Sequence, residues 1–473
     1  MSSSANRASV IGAGPNGLAA AIVLAQAGLG VDVYEAQAEP GGAARTLPLT
    51  LPGYMHDFGS AVHPMGAGSP FFATLPMEKN GLRWIHSPVD LAHPLDDGTV
   101  VLLRRDFAET ARSLGEDRER WRDLFQRYAE NWPAFAEEIL GPVIHMPKHP
   151  LLMARFGLSA VQPARSFAQN HFNNARTRAV FAGLAAHSFL SLDAPVSAAI
   201  GMVLAVAAHA VGWPIPEGGA QSITNALAAH LRQLGGAIQT SHRITSLSEL
   251  PDALTLCDVP PRELLRIAGP RLSPPYIQTL NQFRVGPGAF KIDYALSQPI
   301  PWRAMDCGLA ATVHLGGTME EIAFSEREMS QGRIAERPFV LLAQPSLFDA
   351  SRAPAGKHTA WVYCHVPNGS TVDMTERIEA QIERFAPGFR ECVLARKVFS
   401  PVDLEAADAN LIGGDVMGGA ITVRQTLYRP TKQLYATSDS KIFLCSASTP
   451  PGGGVHGMCG YHAASRALRL APR

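Results

Sequence analysis

The stretch that most constrains this chain lies near its start. A short apolar run, Ser9-Val10-Ile11, feeds Gly12-Ala13-Gly14-Pro15-Asn16-Gly17, and an Ala-rich segment follows at once. The pattern reads as strand, Gly-x-Gly-x-x-Gly turn and helix. Gly12 makes the tight turn, Gly14 lets backbone approach a pyrophosphate, and Gly17 lets helix and strand pack closely. The helix start also offers free N–H groups and the positive end of a dipole to that pyrophosphate.

Two further features sharpen the reading. Gly28 closes the helix, and Gly30-Val31-Asp32-Val33-Tyr34-Glu35 is the next strand. Glu35 falls about 20 residues beyond the glycines, where a carboxylate accepts hydrogen bonds from a ribose 2′-hydroxyl. An acid at that place favours a free ribose over a 2′-phosphate. Gly41-Gly42-Ala43-Ala44-Arg45 then supplies a second glycine turn with a basic residue. Such a turn suits the longer dinucleotide FAD, flanked by another backbone segment and an arginine.

Composition sets outer bounds. At 473 residues, 46% hydrophobic, the chain holds two or three domains with ample core. Lys and Arg together number 41, as do Asp and Glu, so formal charge is zero and a nucleic-acid partner is not expected. Arginine far outnumbers lysine, which reads as genome composition and fits a bacterial source. The six cysteines are scattered without a Cys-x-x-Cys pair, so neither a metal site nor a dithiol centre is expected. Met1 to Arg7 is polar and lacks a signal-peptide core, which makes a cytoplasmic location the expectation. The longest apolar stretch, 196–211, is short for a membrane span and reads as a core helix, with peripheral membrane contact as the alternative.

Along the chain, Tyr54 to Pro64 has many turn formers and reads as a loop that brings Gly59-Ser60-Ala61 and His63 back toward the cofactor. Leu95 to Leu102 has the Asp-Gly turn of a hairpin. Arg104 to Leu140 is charged and helical in period, and 147–211 looks like packed helices around an apolar substrate cavity. Ser222 to Leu234 is a helix that leads into a strand at Ala237-Ile238-Gln239-Thr240. Arg243-Ile244-Thr245 is expected to run under the adenine, and Leu254 to Pro260 to complete the sheet. Period two takes over at Phe290–Leu296, Phe339–Ala343 and Thr359–Cys364, which predicts an antiparallel sheet with one buried face that includes His314 and His365. Thr375 to Phe385 is a helix within it. Finally a strand at Ile442–Cys445 meets Ser446 and the loop Pro450-Pro451-Gly452-Gly453-Gly454-Val455-His456-Gly457-Met458, with a helix from about Tyr461. This second strand–Gly loop–helix is suited to the pyrimidine end of a flavin, whose reduced ring carries charge there.

These residues also resemble a family. Gly12 to Gly17, Tyr34-Glu35-Ala36, Pro40 to Arg45 and Pro450 to Met458 are similar to phytoene-desaturase-related FAD oxidoreductases, the group of carotenoid desaturases, isomerases and retinol saturases. Phe283 to Lys291 and Thr312 to Thr318 resemble more closely its pyridine-nucleotide-disulphide-oxidoreductase-domain subgroup. The resemblance implies an α/β fold: a glutathione-reductase-like Rossmann FAD domain built from 1–66, 216–272 and 430–473. An α+β substrate domain, 67–215 and 273–429, is then inserted as antiparallel sheet plus helices. The Pro-Pro-Gly-Gly-Gly-Val-His loop departs from the His-Pro-Gly-type sequence usual in carotenoid desaturases, which puts a carotenoid substrate in question.

The expected chemistry is a desaturation with non-covalent FAD. Hydride leaves an apolar, isoprenoid- or lipid-like substrate for flavin N5, and a protein group or water takes the adjacent proton. His456 is the first candidate for that group and His63 the second, because an imidazole titrates near neutral pH. Flavin-dependent isomerisation or saturation would need the same site. An amine oxidase remains a rival by fold analogy, and a non-catalytic flavoprotein from another class. No second Gly-x-Gly-x-x-Gly offers itself to NADPH, so oxygen, a quinone or another carrier is the expected electron acceptor.

Overall fold

The computed structural model describes residues 7–470; the segment 1–6, on which most of the leader reading falls, lies outside them. Two sheets organise the chain. The first is fully parallel, with strands in the spatial order 442–444, 254–257, 7–11, 30–34 and 237–239. Its central strand Arg7–Ile11 and the neighbouring strand Leu254–Cys257 are almost wholly buried, as a sheet covered on both faces requires. Helix Pro15–Gln26 begins at the expected turn, with proline at its first position, where a missing N–H costs nothing.

The first and last helices, Pro15–Gln26 and Met458–Leu470, pack directly on each other, and Gln221–Gln233 packs on the first. Glycine also lets the first helix pack closely on the turn that precedes it. A Cβ on Gly17 would lie 2.0 Å from the Gly12 carbonyl oxygen. The last helix starts at Met458, three residues before the expected Tyr461. Gly457 takes φ +69° just ahead of it, and His456 Nδ1 accepts the Met458 N–H, so the helix is capped early.

The second sheet has seven strands in the order 393–399, 288–296, 358–366, 340–343, 310–315, 89–94 and 100–103. It is mixed rather than antiparallel throughout. The predicted hairpin around Asp97-Gly98 joins it, and Val89–Pro94 pairs parallel to Ala310–Leu315. The expectation of one wet face also fails: Gly288–Leu296 is buried at every position. On one face Phe290, Ile292 and Tyr294 pack against Ile378 and Ile382 of helix Thr375–Phe385. Ala289 and Lys291, on the other, turn toward a cavity shared with the parallel sheet.

The helical region is more broken than its period suggests. Residues 104–140 form Phe107–Leu114, Arg118–Glu130 and Trp132–Ile139, interrupted at Gly115 (φ +59°) and at Asn131. The apolar stretch 196–211 becomes helix Ser197–Ala210, with Ala198, Met202, Ala205 and Ala208 in the core. Among the described residues no helix is long and apolar enough to cross a membrane.

Candidate active site

A cavity of about 450 Å³ runs from the first glycine turn to the inner face of the second sheet. Its cradle end is made by backbone. Gly14 and Gly42 face each other so closely that a Cβ on Gly42 would stand 3.2 Å from the Gly14 Cα. Gly59 packs on the same turn, where a Cβ would meet the Ala43 carbonyl oxygen at 2.5 Å. Pro15, Asn16, Ala43, Ser60, Ala61, Ser446, Gly453, Gly454, Val455 and His456 complete this wall, so both ends of the chain meet at one cavity.

The fit to a dinucleotide can be judged from the donors. Asn16 is 7% exposed and its Oδ1 has no partner within the described residues, as expected of a group left for a ligand. Glu35 accepts the N–H groups of Ala13 and Gln37, both at 2.8 Å, and its carboxylate keeps lone pairs for a ribose hydroxyl. Ala36 follows it, half-buried. Arg45 acts as a brace: its Nε donates to the Gly42 carbonyl at 2.7 Å and a terminal nitrogen to that of Ala407 at 3.2 Å. Its stem lies against Gly41, which a Cβ would push into Arg45 Cγ. Gly12, Gly17, Gly457 and Met458 shape the turns and helix starts from behind the cavity wall. These residues fit FAD.

Ile244 lies with Ile11, Tyr34, Leu247 and Leu264 in an apolar cluster, and the segment before it runs beside Glu35, whose carbonyl accepts the His242 N–H at 2.8 Å.

Three carboxylates also surround the cradle, and two of them give no signal in the sequence. Asp258 Oδ2 accepts the Gly17 N–H at 2.9 Å. Burial pushes the Asp258 carboxyl up to about 7, and the nearby charges of Asp408 and Glu35 push the same way. Asp408 is held high by burial as well. It arrives with Asn410, whose amide donates to the Asp258 carbonyl at 3.0 Å, on the segment 408–418 that folds over the cradle. That segment falls in the stretch expected to belong to the substrate domain.

Beyond the cradle the wall is apolar, with Ile139, Leu140, Phe189, Val203, Leu204 and Leu341. The polar groups reaching it are few. His456 is buried, its Nδ1 is occupied by the Met458 N–H, and burial lowers its imidazole to about 4. The remaining Nε2 is therefore a donor, and this imidazole is poorly placed to accept a proton. His63 is likewise lowered to about 4 by burial, but its Nε2 is buried without a partner. Sequence reasoning passed over His187, which lines the cavity with its Nε2 3.0 Å from that of His314. His314 and His365 belong to the second sheet, as expected.

Lys291, read as part of a strand and of the Phe283–Lys291 stretch, is given no role by the sequence. It is 2% exposed, lines the cavity, pairs with Asp293 and lies near the rings of Phe399 and Trp361. Burial lowers the lysine and raises Asp293 to about 6. Behind them His56 Nδ1 stands 3.8 Å from Asp293, and the fully buried pair Arg352–Asp57 closes at 2.7 Å. Alternation along one buried strand carries the clue, since Lys291 and Asp293 share a face that an exposed sheet would have left in water.

Comparisons with known proteins agree with this architecture. A family model described as an NAD(P)-binding Rossmann-like domain matches residues 10–75. Pyridine nucleotide-disulfide oxidoreductase domain-containing protein 2 of Rattus norvegicus is 25% identical, over 97% of this chain and 93% of the relative. Phytoene dehydrogenase of Streptomyces griseus is 24% identical, over 94% and 91%. Among solved structures, an oxidoreductase from Methanosarcina mazei superposes with a TM-score of 0.66 at 16% identity, covering 98% of this chain and all of the other. Putrescine oxidase bound to putrescine follows with 0.61 at 17%, covering 99% of both. At such identities the structural likeness is one of fold.

Proposed function

Because this chain belongs to the phytoene-desaturase-related FAD oxidoreductases, we propose that it is a dehydrogenase that introduces a double bond into an apolar, isoprenoid- or lipid-like molecule. The observation that carries this reading is the cavity beyond the cradle, walled by aliphatic and aromatic side chains and touched by few polar groups. Such a wall binds substrate by burying its surface and keeps water from the reacting carbon. FAD held in the cradle would supply the hydride acceptor, and oxygen, a quinone or another carrier would take its electrons afterwards.

The protein's own part is placement and the proton. Both imidazoles suited to accept it, His63 and His187, are kept neutral by burial, since a charged ring loses its hydration there. His63 has a free Nε2, and His187 is oriented by His314, whose Nε2 lies 3.0 Å from its own. Lys291, paired with Asp293, is a fixed dipole at the cavity wall.

Anaerobic mixing with an acyclic isoprenoid polyene in detergent tests the direction of the reaction. Bleaching of oxidised flavin with formation of a longer conjugated system is the expected result. A rearranged double bond without bleaching would replace this reading with an isomerase, and oxidation of pre-reduced flavin would replace it with a saturase. Bleaching by alkylamines alone would favour an amine oxidase.

A further inference from the structure

We infer that Arg429, buried behind the closing Gly loop, is the fixed positive charge that stabilises the reduced cofactor and so sets how readily the protein takes up a hydride. It acts through its field on the cavity, whose wall it does not itself form. Arg429 is 6% exposed, and its Nε has no partner among the described residues. Nη2 donates to the Met417 carbonyl at 2.6 Å, which ties the guanidinium to the segment that folds over the cradle. Nη1 faces Gly452, where a Cβ would stand 3.6 Å from it. Met417 and Gly453, the residue after Gly452, both line the cavity. One layer of backbone thus separates this cation from the space the cofactor would fill.

A buried guanidinium calls for a counter-charge. Taking a cation out of water is costly unless an anion replaces the water, and arginine cannot shed its proton to escape that cost. No carboxylate among the described residues closes an ion pair with Arg429. Asp415 acts on it from beyond that range. The Asp415 oxygens are taken up by the N–H groups of Gly286, at 2.6 Å, and Met417, at 2.8 Å. Burial also raises the Asp415 carboxyl, which weakens it as a counter-ion. Cys459 is another neighbour, but burial pushes its thiol up to about 12, so it stays uncharged.

The missing anion is one that the reaction itself creates. An oxidised flavin ring is uncharged. A hydride brings two electrons and one proton, and leaves the ring with one negative charge near N1, at the pyrimidine end. That is the end to which the loop 450–458 is suited. Arg429 therefore attracts the ring more strongly after hydride transfer than before, and a dry surrounding lets that attraction act through the intervening backbone. The pyrophosphate is a rival partner, but its charge is the same in both redox states and so predicts a different result.

The midpoint potential of the FAD couple, measured on the holoprotein without substrate by equilibration with reference dyes, tests this. Arg429→Met should lower the equilibrium constant for reduction at least tenfold, roughly 30 mV for a two-electron couple. Arg429→Lys keeps a charge and should recover most of the loss. Asp415→Asn removes the opposing charge and should shift the potential the other way. That variant leaves the arginine in place, so it carries the test if Arg429→Met does not fold or hold FAD. An unchanged potential in Arg429→Met, or in Asp415→Asn where the former fails, would overturn the inference. So would weaker FAD binding that Arg429→Lys restores at constant potential, which would make the pyrophosphate the partner. No substrate is present, so the outcome is independent of the dehydrogenase reading.

Discussion

Gly460 lies against Asn16: a Cβ on Gly460 would stand 1.8 Å from the Asn16 carbonyl oxygen. Here the last helix crosses the first at the base of the cofactor cradle, so the closing Gly loop and the opening Gly turn hold a fixed relation. Gly460→Ala must push the helices apart. We expect a loss of about 3 kcal/mol, at the upper end of overpacking costs, with weaker flavin retention. Chemical denaturation and flavin release on the same sample check both.

Asp258 places a stability cost beneath the cradle. Its carboxyl is raised from the ordinary aspartate value to about 7, so between about pH 4 and 7 the folded chain holds a proton that the unfolded chain has released. Stability therefore falls as pH rises through that window, by an amount on the order of a few kcal/mol. Asp258→Asn keeps an acceptor for the Gly17 N–H and removes the charge. Thermal unfolding of the apoprotein should show the variant gaining on the wild type as pH rises from 5 to 8; a constant difference would contradict the account.

The buried pair Lys291–Asp293 yields a double-mutant cycle. Lys291→Met leaves Asp293 uncompensated in a dry site and should cost about 3–5 kcal/mol, as for other broken buried pairs. Adding Asp293→Asn should restore a large part. Additive losses would mean that the two side chains do not depend on each other.

For the proton, His63→Gln should slow single-turnover flavin reduction by about 10²-fold, within the range of general base catalysis, while flavin binding stays intact. His456→Ala should instead weaken the cap of the last helix and its flavin affinity. If His456→Ala slows reduction at full flavin occupancy and His63→Gln does not, the roles are reversed.

Local signals made the nucleotide half of this protein readable. Gly12, Gly14, Gly17 and Glu35 sit at spacings that one turn and one strand impose, and the structure brings them together with Gly42 and Gly454 around one site. The substrate half depends on contacts distant in sequence. Nothing near Lys291 announces that its strand is covered on both faces, nor does the sequence around Asp408 indicate that a segment 150 residues beyond Asp258 returns to the cradle. The strands read from period two, 288–296, 340–343 and 358–366, do pair antiparallel, but nothing in that pattern shows that Val89–Pro94 joins the same sheet in parallel.

The central claim is that both ends of the chain grip one FAD in the cradle between Gly14, Gly42 and Gly454. The direct measurement is the flavin content of the purified protein, by its visible spectrum and by the nucleotide released on denaturation, beside a Gly42→Val variant. The account predicts one non-covalent FAD per wild-type chain and a folded variant with little or none, because the new side chain would enter the space against Gly14. A colourless wild-type protein that takes up no added FAD, or a Gly42→Val variant that retains it in full, would contradict it.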